Sequence, residues 1–351
     1  MTLPVIPPLV PIPVDPAVAV LPKADLHLHQ EAAARLERLA ARRQRRPPYD
    51  RRGWAARLLA EWPPGLDRLG GVYEPDDALD LTGIQRNHPD TFVARVADVL
   101  SEAAVDGAVL AEVRFGPADA PPWPELMPLF REAERRVRTR FSTFRAEAIG
   151  YVLMASEPAR LQQAEERLEA IIAAAALGLA GVDFSTDPYD TEADPALWAV
   201  ISRWAERAAA AGLGITIHAG EFSPANLAAA LSVPGLGRVG HAVHAASDPR
   251  LLDHLARSGA AVECSLTSNV VLGAVPTYEA HPIRRFADYG IPVTLNTDLP
   301  VHVCTTIGRE YAVAAVLGFS PAELLAFTRN AVRASFAPAE DRATLLAELD
   351  G

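Results

Sequence analysis

Short apolar runs rich in β-branched residues recur along the chain, separated by stretches of Ala, Leu and Arg with other charged residues interleaved. The runs that predict strands are ADLHLH at 24–29, GAVLAEVRF at 107–115, AEAIGYVLM at 146–154, GVDFST at 181–186, GITIHAG at 214–220, RVGHAVH at 238–244, AAVECSL at 260–266 and IPVTLNTD at 291–298. Helices are expected over 158–178, 194–211, 248–258 and 320–334. Strands alternating with helices build βαβ units and a parallel sheet. Eight such units predict an α/β fold closed into a (β/α)8 TIM barrel, which takes about 250 residues before insertions. The surplus in a chain of 351 is assigned to an extended arm at 1–20, a helical insertion at 30–100 after the first strand and over the barrel mouth, and a tail at 341–351. That leaves 21–340 as a single domain.

Composition narrows the picture. Half of the residues are apolar, ample for a large buried core. The net charge of −11 argues against nucleic acid as a partner, because phosphate backbones select basic surfaces. A nucleoside or free base remains open as a small-molecule substrate. No apolar stretch reaches the roughly 20 residues of a membrane span without charge or Pro, so no membrane partner is expected. The opening MTLPVIPPLVPIPVDP is broken by Pro and has no basic flank, which suits an arm better than a signal peptide. Two cysteines, Cys264 and Cys304, supply neither a disulfide framework nor a Cys-rich zinc site, so a reducing cytoplasm is expected. The basic cluster at 42–52 offers an anion site or, more simply, a solvated helix face. Lys23 is the only lysine, and it precedes the first strand, so Schiff-base, P-loop or lysine-bridged two-metal chemistry is discounted. Oligomeric state is not set by the sequence.

Barrel enzymes keep their catalysts at the C-terminal ends of strands. Four of the expected strand ends carry candidates. His27 and His29 stand at i and i+2, on one face of a strand, where two imidazoles can reach one metal ion. His218 and Glu221 close HAGE, His241 lies in GHAVH, and Asp298 ends the last strand. Histidines and a carboxylate around an open position suit catalytic Zn²⁺, which favours N and O ligands and retains a water. Each residue alone is as well explained as a buried polar group with its hydrogen bonds satisfied; four coincident strand ends are not.

The motifs LPKADLHLHQE, AEVRFGP, ITIHAGE, RVGHAVH, TSN and LNTDLP, in this order, resemble the adenosine/adenine deaminase family of the metal-dependent amidohydrolase superfamily, and RNAVRASF at 329–336 resembles its final helix. The resemblance spans about 21–337. It implies that His27, His29, His218 and Asp298 bind one Zn²⁺ per chain, which lowers the pKa of water and supplies hydroxide. It implies that His241 orients that water, that Glu221 protonates the ring nitrogen beside the amine-bearing carbon, and that Asp298 accepts a proton from the attacking water. Such a glutamate must hold a proton, so burial should raise its pKa.

The substrate-reading positions depart from the family. Its second aspartate after Asn-Thr is Leu299 here, its ribose-contacting aspartate corresponds to Glu31, and a glycine close to the purine corresponds to Thr186. An unpaired buried substrate nitrogen costs about 1–3 kcal/mol. The expectation is a zinc-dependent deaminase of an amino-substituted N-heterocycle, purine-like but not adenosine itself, with Glu31, Thr186 and Leu299 reading the substrate. The alternatives are an amidohydrolase cleaving another C–N or ester bond, or a silent ligand-binding barrel. His302 offers a replacement contact or, more simply, a solvated loop; Trp54, Trp62 and Tyr73 offer an apolar lid or, equally well, ordinary helix packing; His244 is expected to pack in the barrel wall, and His88, His254 and His281 give no independent reason for a role.

Overall fold

In the computed structural model, which describes residues 12–33, 38, 41, 50–64, 66–71, 88–116 and 121–351, the apolar runs form eight strands. They are β1 (Lys23–His29), β2 (Ala108–Phe115), β3 (Arg145–Leu153), β4 (Gly181–Ser185), β5 (Gly214–Ala219), β6 (Leu236–His241), β7 (Ala261–Cys264) and β8 (Val293–Leu295). Neighbours in sequence pair in parallel from β1 through β8. The seam between β8 and β1 is joined beyond the end of β8. The Asp298 amide donates to the His27 carbonyl at 2.7 Å and the His29 amide to the Asp298 carbonyl at 3.1 Å. Side chains complete the seam: Asn296 Oδ1 accepts from the Leu26 amide at 2.9 Å, and Thr297 Oγ1 donates to Asp25 at 2.6 Å. The (β/α)8 architecture expected from the periodicity is the one observed.

Helix boundaries follow local chemistry. Pro stands at the first turn of the helices Pro89–Val105, Pro158–Ala174, Pro195–Ala210, Pro249–Ser258 and Pro321–Ala334, where its missing N–H is no loss. Asp194, Asp248 and Ser320 cap three of these with side-chain oxygens. The run 238–244 does not stay extended throughout: His241 and Ala242 take φ of 66° and 50°, and a 3₁₀ turn, Val243–Ser247, comes next.

Phe336, just past the helix Pro321–Ala334, closes the bottom of the barrel. A Cβ on Gly214 would lie 2.1 Å from its ring and one on Gly181 2.4 Å, so glycine at the starts of β4 and β5 makes room for the plug. The guanidinium of Arg238 lies 3.6 Å from the Phe336 ring centroid. Residues 341–351 fall largely in a helix, Ala339–Asp350, whose Leu345 and Leu349 pack with Ala24, Leu26 and Leu110.

Of the segment 30–100, the described residues include the helices Arg51–Glu61, Leu66–Gly71 and the one that starts at Pro89. Arg68 fastens this region to the barrel top by donating to the Val271 carbonyl at 2.9 Å and the Trp62 carbonyl at 2.7 Å. Tyr73 and most of the basic cluster at 42–52 lie outside the described residues. Among the described residues no helix is long and apolar enough to cross a membrane.

Candidate metal and catalytic site

Strand alternation places His27 and His29 on the inner face of β1, with their Nε2 atoms 3.2 Å apart. His218, on β5, brings its Nε2 to 3.1 Å from that of His29. Asp298 Oδ1 lies 3.4 Å from His27 Nε2 and 3.5 Å from His29 Nε2. Tetrahedral ligands about 2.0–2.1 Å from a zinc ion lie about 3.3–3.4 Å from one another, so these edges have the right length. His241 is also close: ligand atoms of His27, His218, His241 and Asp298 fall within 4.8 Å of one another.

The chemistry of the donors points the same way. His27 Nδ1 faces Glu263 at 2.7 Å and His218 Nδ1 faces Asp183 at 3.0 Å, so both rings give their Nδ1 hydrogen to a buried carboxylate and turn Nε2 to the centre. Lone pairs meeting there require a cation between them. A proton on His27 supplies one charge. Burial and Arg114 push its pKa down, but hydrogen bonds to Asp298 and Glu263 outweigh them and bring it to about 9. His218, lowered to about 4 by burial against the pull of Asp183, stays neutral. A metal held by the same atoms supplies more charge, and the residues fit one.

Behind the histidines lies a fully buried ionic network. Arg114, on β2, donates through Nε to Asp183 and through NH2 to Glu263 at 2.6 Å. One guanidinium thus holds the carboxylates behind two imidazoles. Arg238 donates to Glu263 and, at 2.6 Å, to Glu112. Asp183 and Glu263 are both held below the usual carboxylate range: burial opposes this, but cationic neighbours, Arg114 in both cases, outweigh it. Gly240 belongs to this layer, since a Cβ there would lie 3.0 Å from the His27 ring.

His241 and Asp298 both have left-handed backbones, with φ of 66° and 61°. Such conformations cost a non-glycine residue about 1–3 kcal/mol and collect at functional sites. Each turns a side chain from a strand end across the barrel mouth.

Glu221, just past β5, lies 3.6 Å from His241 Nε2. Burial, and then the charge of Asp298, raise its pKa well above the ordinary carboxylate value, which favours its protonated form. Burial lowers His241 well below the ordinary imidazole value, which leaves it neutral. The helix Leu266–Leu272 serves all three groups. Ser268 donates to Asp298 Oδ2 at 2.6 Å, and Asn269 Nδ2 lies 3.2 Å from Glu221 Oε1 and 3.1 Å from His241 Nδ1.

A cavity of about 220 Å³ opens onto these residues, lined by His29, His218, Glu221, His241 and Asp298. Its remaining wall is largely apolar, with Leu69, Leu153, Leu272, Leu299, Tyr151 and Pro188. Leu299 also packs in a cluster with Leu58, Val271, Leu272 and Val303, so it joins the inserted helices to the cavity wall. Thr186 lines the cavity too, and its hydroxyl accepts from Asn226 at 2.9 Å. The side chain of Glu31 lies outside the described residues. His302 is buried rather than solvated and does not line the cavity. Trp54 and Trp62 do not line it either; Leu69 does. Reasoning from strand ends alone passes over Asp183, Glu263, Arg114, Asn226 and Asn269. The signal for the first three is a charge inside an otherwise apolar, doubly buried strand.

Comparison with known proteins is consistent with this arrangement. The family model described as Adenosine deaminase matches residues 22–351. An adenine deaminase from Rhizobium leguminosarum bv. trifolii is 44% identical over 141 residues, 40% of this chain and 44% of that protein. An aminodeoxyfutalosine deaminase from Streptomyces coelicolor is 42% identical over 147 residues, 41% of this chain and 38% of that protein. The matched stretch therefore spans less than half the length of these curated relatives. Among solved structures, an adenine deaminase from Arthrobacter aurescens superposes with a TM-score of 0.73 at 23% identity, covering 94% of this chain and 98% of that one.

Proposed function

The chain belongs to the adenosine deaminase family, and from that premise we propose that it is a hydrolytic deaminase of an amino-substituted, purine-like heterocycle. The observation that carries this reading is Glu221, a buried carboxyl group that lines the cavity beside a His/Asp cluster able to hold a metal ion and whose pKa burial raises. A hydrolase that never protonates a ring nitrogen has no need of a buried acid there.

His27, His29, His218 and Asp298 would hold one zinc ion. Bound there, zinc would lower the pKa of water toward neutrality and so supply hydroxide. The protein's own groups do the rest. Glu221 delivers its proton to the ring nitrogen next to the amine-bearing carbon, which draws electron density from that carbon. His241, neutral and hydrogen-bonded by Asn269, holds the entering oxygen and stabilises its charge. Asp298, fixed by Ser268, accepts the proton that water gives up. A proton passes to the amine, the C–N bond breaks, ammonia leaves, and a ring carbonyl remains. Water and the amine are consumed one for one.

The substrate is compact. The cavity is smaller than the roughly 300–1,000 Å³ usual for drug-sized ligands. Leu299 offers no hydrogen bond where the sequence resemblance places a second aspartate, so a base with carbon or an apolar substituent on that side would fit better than adenine or adenosine. A site in the cytoplasm accords with this chemistry.

The test is ammonia release by the zinc-loaded protein from a panel of aminopurines, aminopterins, aminopyrimidines and their nucleosides. We expect turnover of at least one purine-like amine, abolished in Glu221→Gln with zinc still bound. No ammonia from any member would overturn the deaminase reading. Efficient turnover of adenosine would overturn only the inference from Leu299.

A further inference from the structure

His281 comes directly after a short 3₁₀ turn, Tyr278–Ala280, in the connection from β7 to β8, and is 4% exposed. Its Nδ1 accepts from the Ile283 amide at 3.2 Å. Burial lowers its pKa to about 3, so the ring is neutral. A neutral ring that accepts at Nδ1 carries its hydrogen on Nε2. That Nε2 faces Asn269 Oδ1 at 3.2 Å and therefore donates to it.

This one bond settles the rest of the chain of contacts. If the Asn269 amide were flipped, its NH2 would meet the Nε2–H of His281, donor against donor. The amide is therefore held with Oδ1 toward His281 and Nδ2 toward the catalytic pair. Its two hydrogens go to Glu221 Oε1 and His241 Nδ1. His241 accepts at Nδ1, so its own hydrogen sits on Nε2. Glu221 accepts at Oε1, so the proton it would donate sits on Oε2, whose 3.6 Å separation from His241 Nε2 is too long for a hydrogen bond and leaves both hydrogens to the cavity that the two residues line. The Asn269 side chain is fully buried, and its backbone carbonyl accepts from the Val275 amide at 3.1 Å, so it has little freedom to rearrange.

We propose that Asn269 and His281 are a positioning pair that fixes the tautomer of His241 and selects which oxygen of Glu221 carries the proton. Neither residue touches the substrate. The pair rests on the deaminase reading for its purpose, but its effect on His241 can be measured without turnover. It also gives His281, which the sequence offers no reason to single out, a definite task.

The test uses the full zinc-loaded chain labelled with ¹⁵N-histidine. Imidazole nitrogen shifts report the tautomer of His241 directly. In the wild type we expect a single form, with hydrogen on Nε2. In His281→Leu we expect a mixture of both tautomers. In Asn269→Asp, whose carboxylate accepts where the amide donated, we expect the hydrogen to move to Nδ1. With an amine substrate in hand, His281→Leu should lower kcat by about 10²-fold, within the range that general acid–base groups contribute, and change KM by less than about twofold. His281→Gln, whose amide can still donate to Asn269, should recover most of that loss. If His281→Leu and Asn269→Asp both keep the wild-type tautomer, the proposal is wrong, whether or not the chain deaminates anything. If kcat falls in His281→Leu while the tautomer stays single, His281 is a packing residue only and the proposal is again overturned. Should His281→Leu fail to fold, Asn269→Asp and His281→Gln decide the question by the same spectra.

Discussion

Replacing Glu263 by Gln removes one charge with almost no change of shape, at a point where every neighbour depends on that charge. Glu263 is fully buried. Its Oε2 receives His27 Nδ1–H at 2.7 Å and Arg114 at 2.6 Å; its Oε1 receives Arg238 and, at 3.3 Å, Thr216. Each of these neighbours is a donor. The glutamine NH2 must therefore face donors on one side or the other. Facing Arg238, it leaves a buried guanidinium short of a charge partner; breaking such a pair costs about 3–5 kcal/mol. Facing His27, it forces the ring to accept at Nδ1, which moves the hydrogen to Nε2 and takes that atom away from the metal. Supports of this kind contribute about 10–100-fold to metal affinity, or about 1.4–2.7 kcal/mol. Both losses draw on a total stability of about 5–15 kcal/mol.

The assays are a competitive chelator titration for zinc and thermal unfolding with and without the metal. Glu263→Gln should bind zinc at least about tenfold more weakly. Its Tm should fall by about 5–15 °C, from the stability loss and the usual shift per kcal/mol in larger domains. Zinc affinity within twofold of wild type, together with an unchanged Tm, would refute the assignment of Glu263 as the group that orients His27.

Leu299→Asp places a carboxylate among Leu58, Val271, Leu272 and Val303, so it should cost about 3–4 kcal/mol and create no adenosine deaminase, whereas Leu299→Met should cost under about 1.5 kcal/mol; ammonia release and urea unfolding check both. Gly214→Ala drives a methyl into the Phe336 ring and should lower stability by about 1–3 kcal/mol or more while sparing zinc affinity, since the plug is at the other end of the barrel. Glu323 is held at about 2 by hydrogen bonds from Ser320 and by Arg284, so its contribution is present above the ordinary carboxylate pKa and lost as pH falls through about 2. Glu323→Gln should therefore cost about 1 kcal/mol or less near pH 7, and the difference from wild type should shrink below the ordinary carboxylate pKa and vanish only below about pH 2, read from unfolding curves across that range.

The barrel was legible because its strands are short, apolar and regularly spaced, and because five of the helices start on a Pro, three of them with a polar side-chain cap as well. Strand ends were less so. The run through His241 reads as continuously extended, yet positive φ at His241 and Ala242 ends it, and nothing in the residue types announces that bend. The candidate ligands could be picked out because two histidines at i and i+2 and single polar groups at other strand ends share one place in a barrel. Their supports could not be picked out from the same rule. Asp183, Glu263 and Arg114 sit inside apolar strands, where a lone charge looks incidental until its partner, far away in sequence, is known. Asn269 and His281 are further from legibility: an amide and a loop histidine carry no pattern, and only their distances to Glu221 and His241 give them meaning.

The helix Leu266–Leu272 joins the residues proposed to do the chemistry to the wall proposed to read the substrate. Its Ser268 and Asn269 hold Asp298, Glu221 and His241, while Val271 and Leu272, next along the same two turns, pack on Leu299. Arg68 from the inserted segment bonds to the Val271 carbonyl. All seven residues of the helix are buried, so it cannot shift at one end without shifting at the other. A change of volume at Leu299 or Leu272 should therefore act on the hydrogen bonds to Asp298, Glu221 and His241 as well as on the cavity wall. Substrate range in this protein should be open to swaps that conserve volume in the apolar wall, and closed to those that introduce charge or a void, even though no metal ligand is touched.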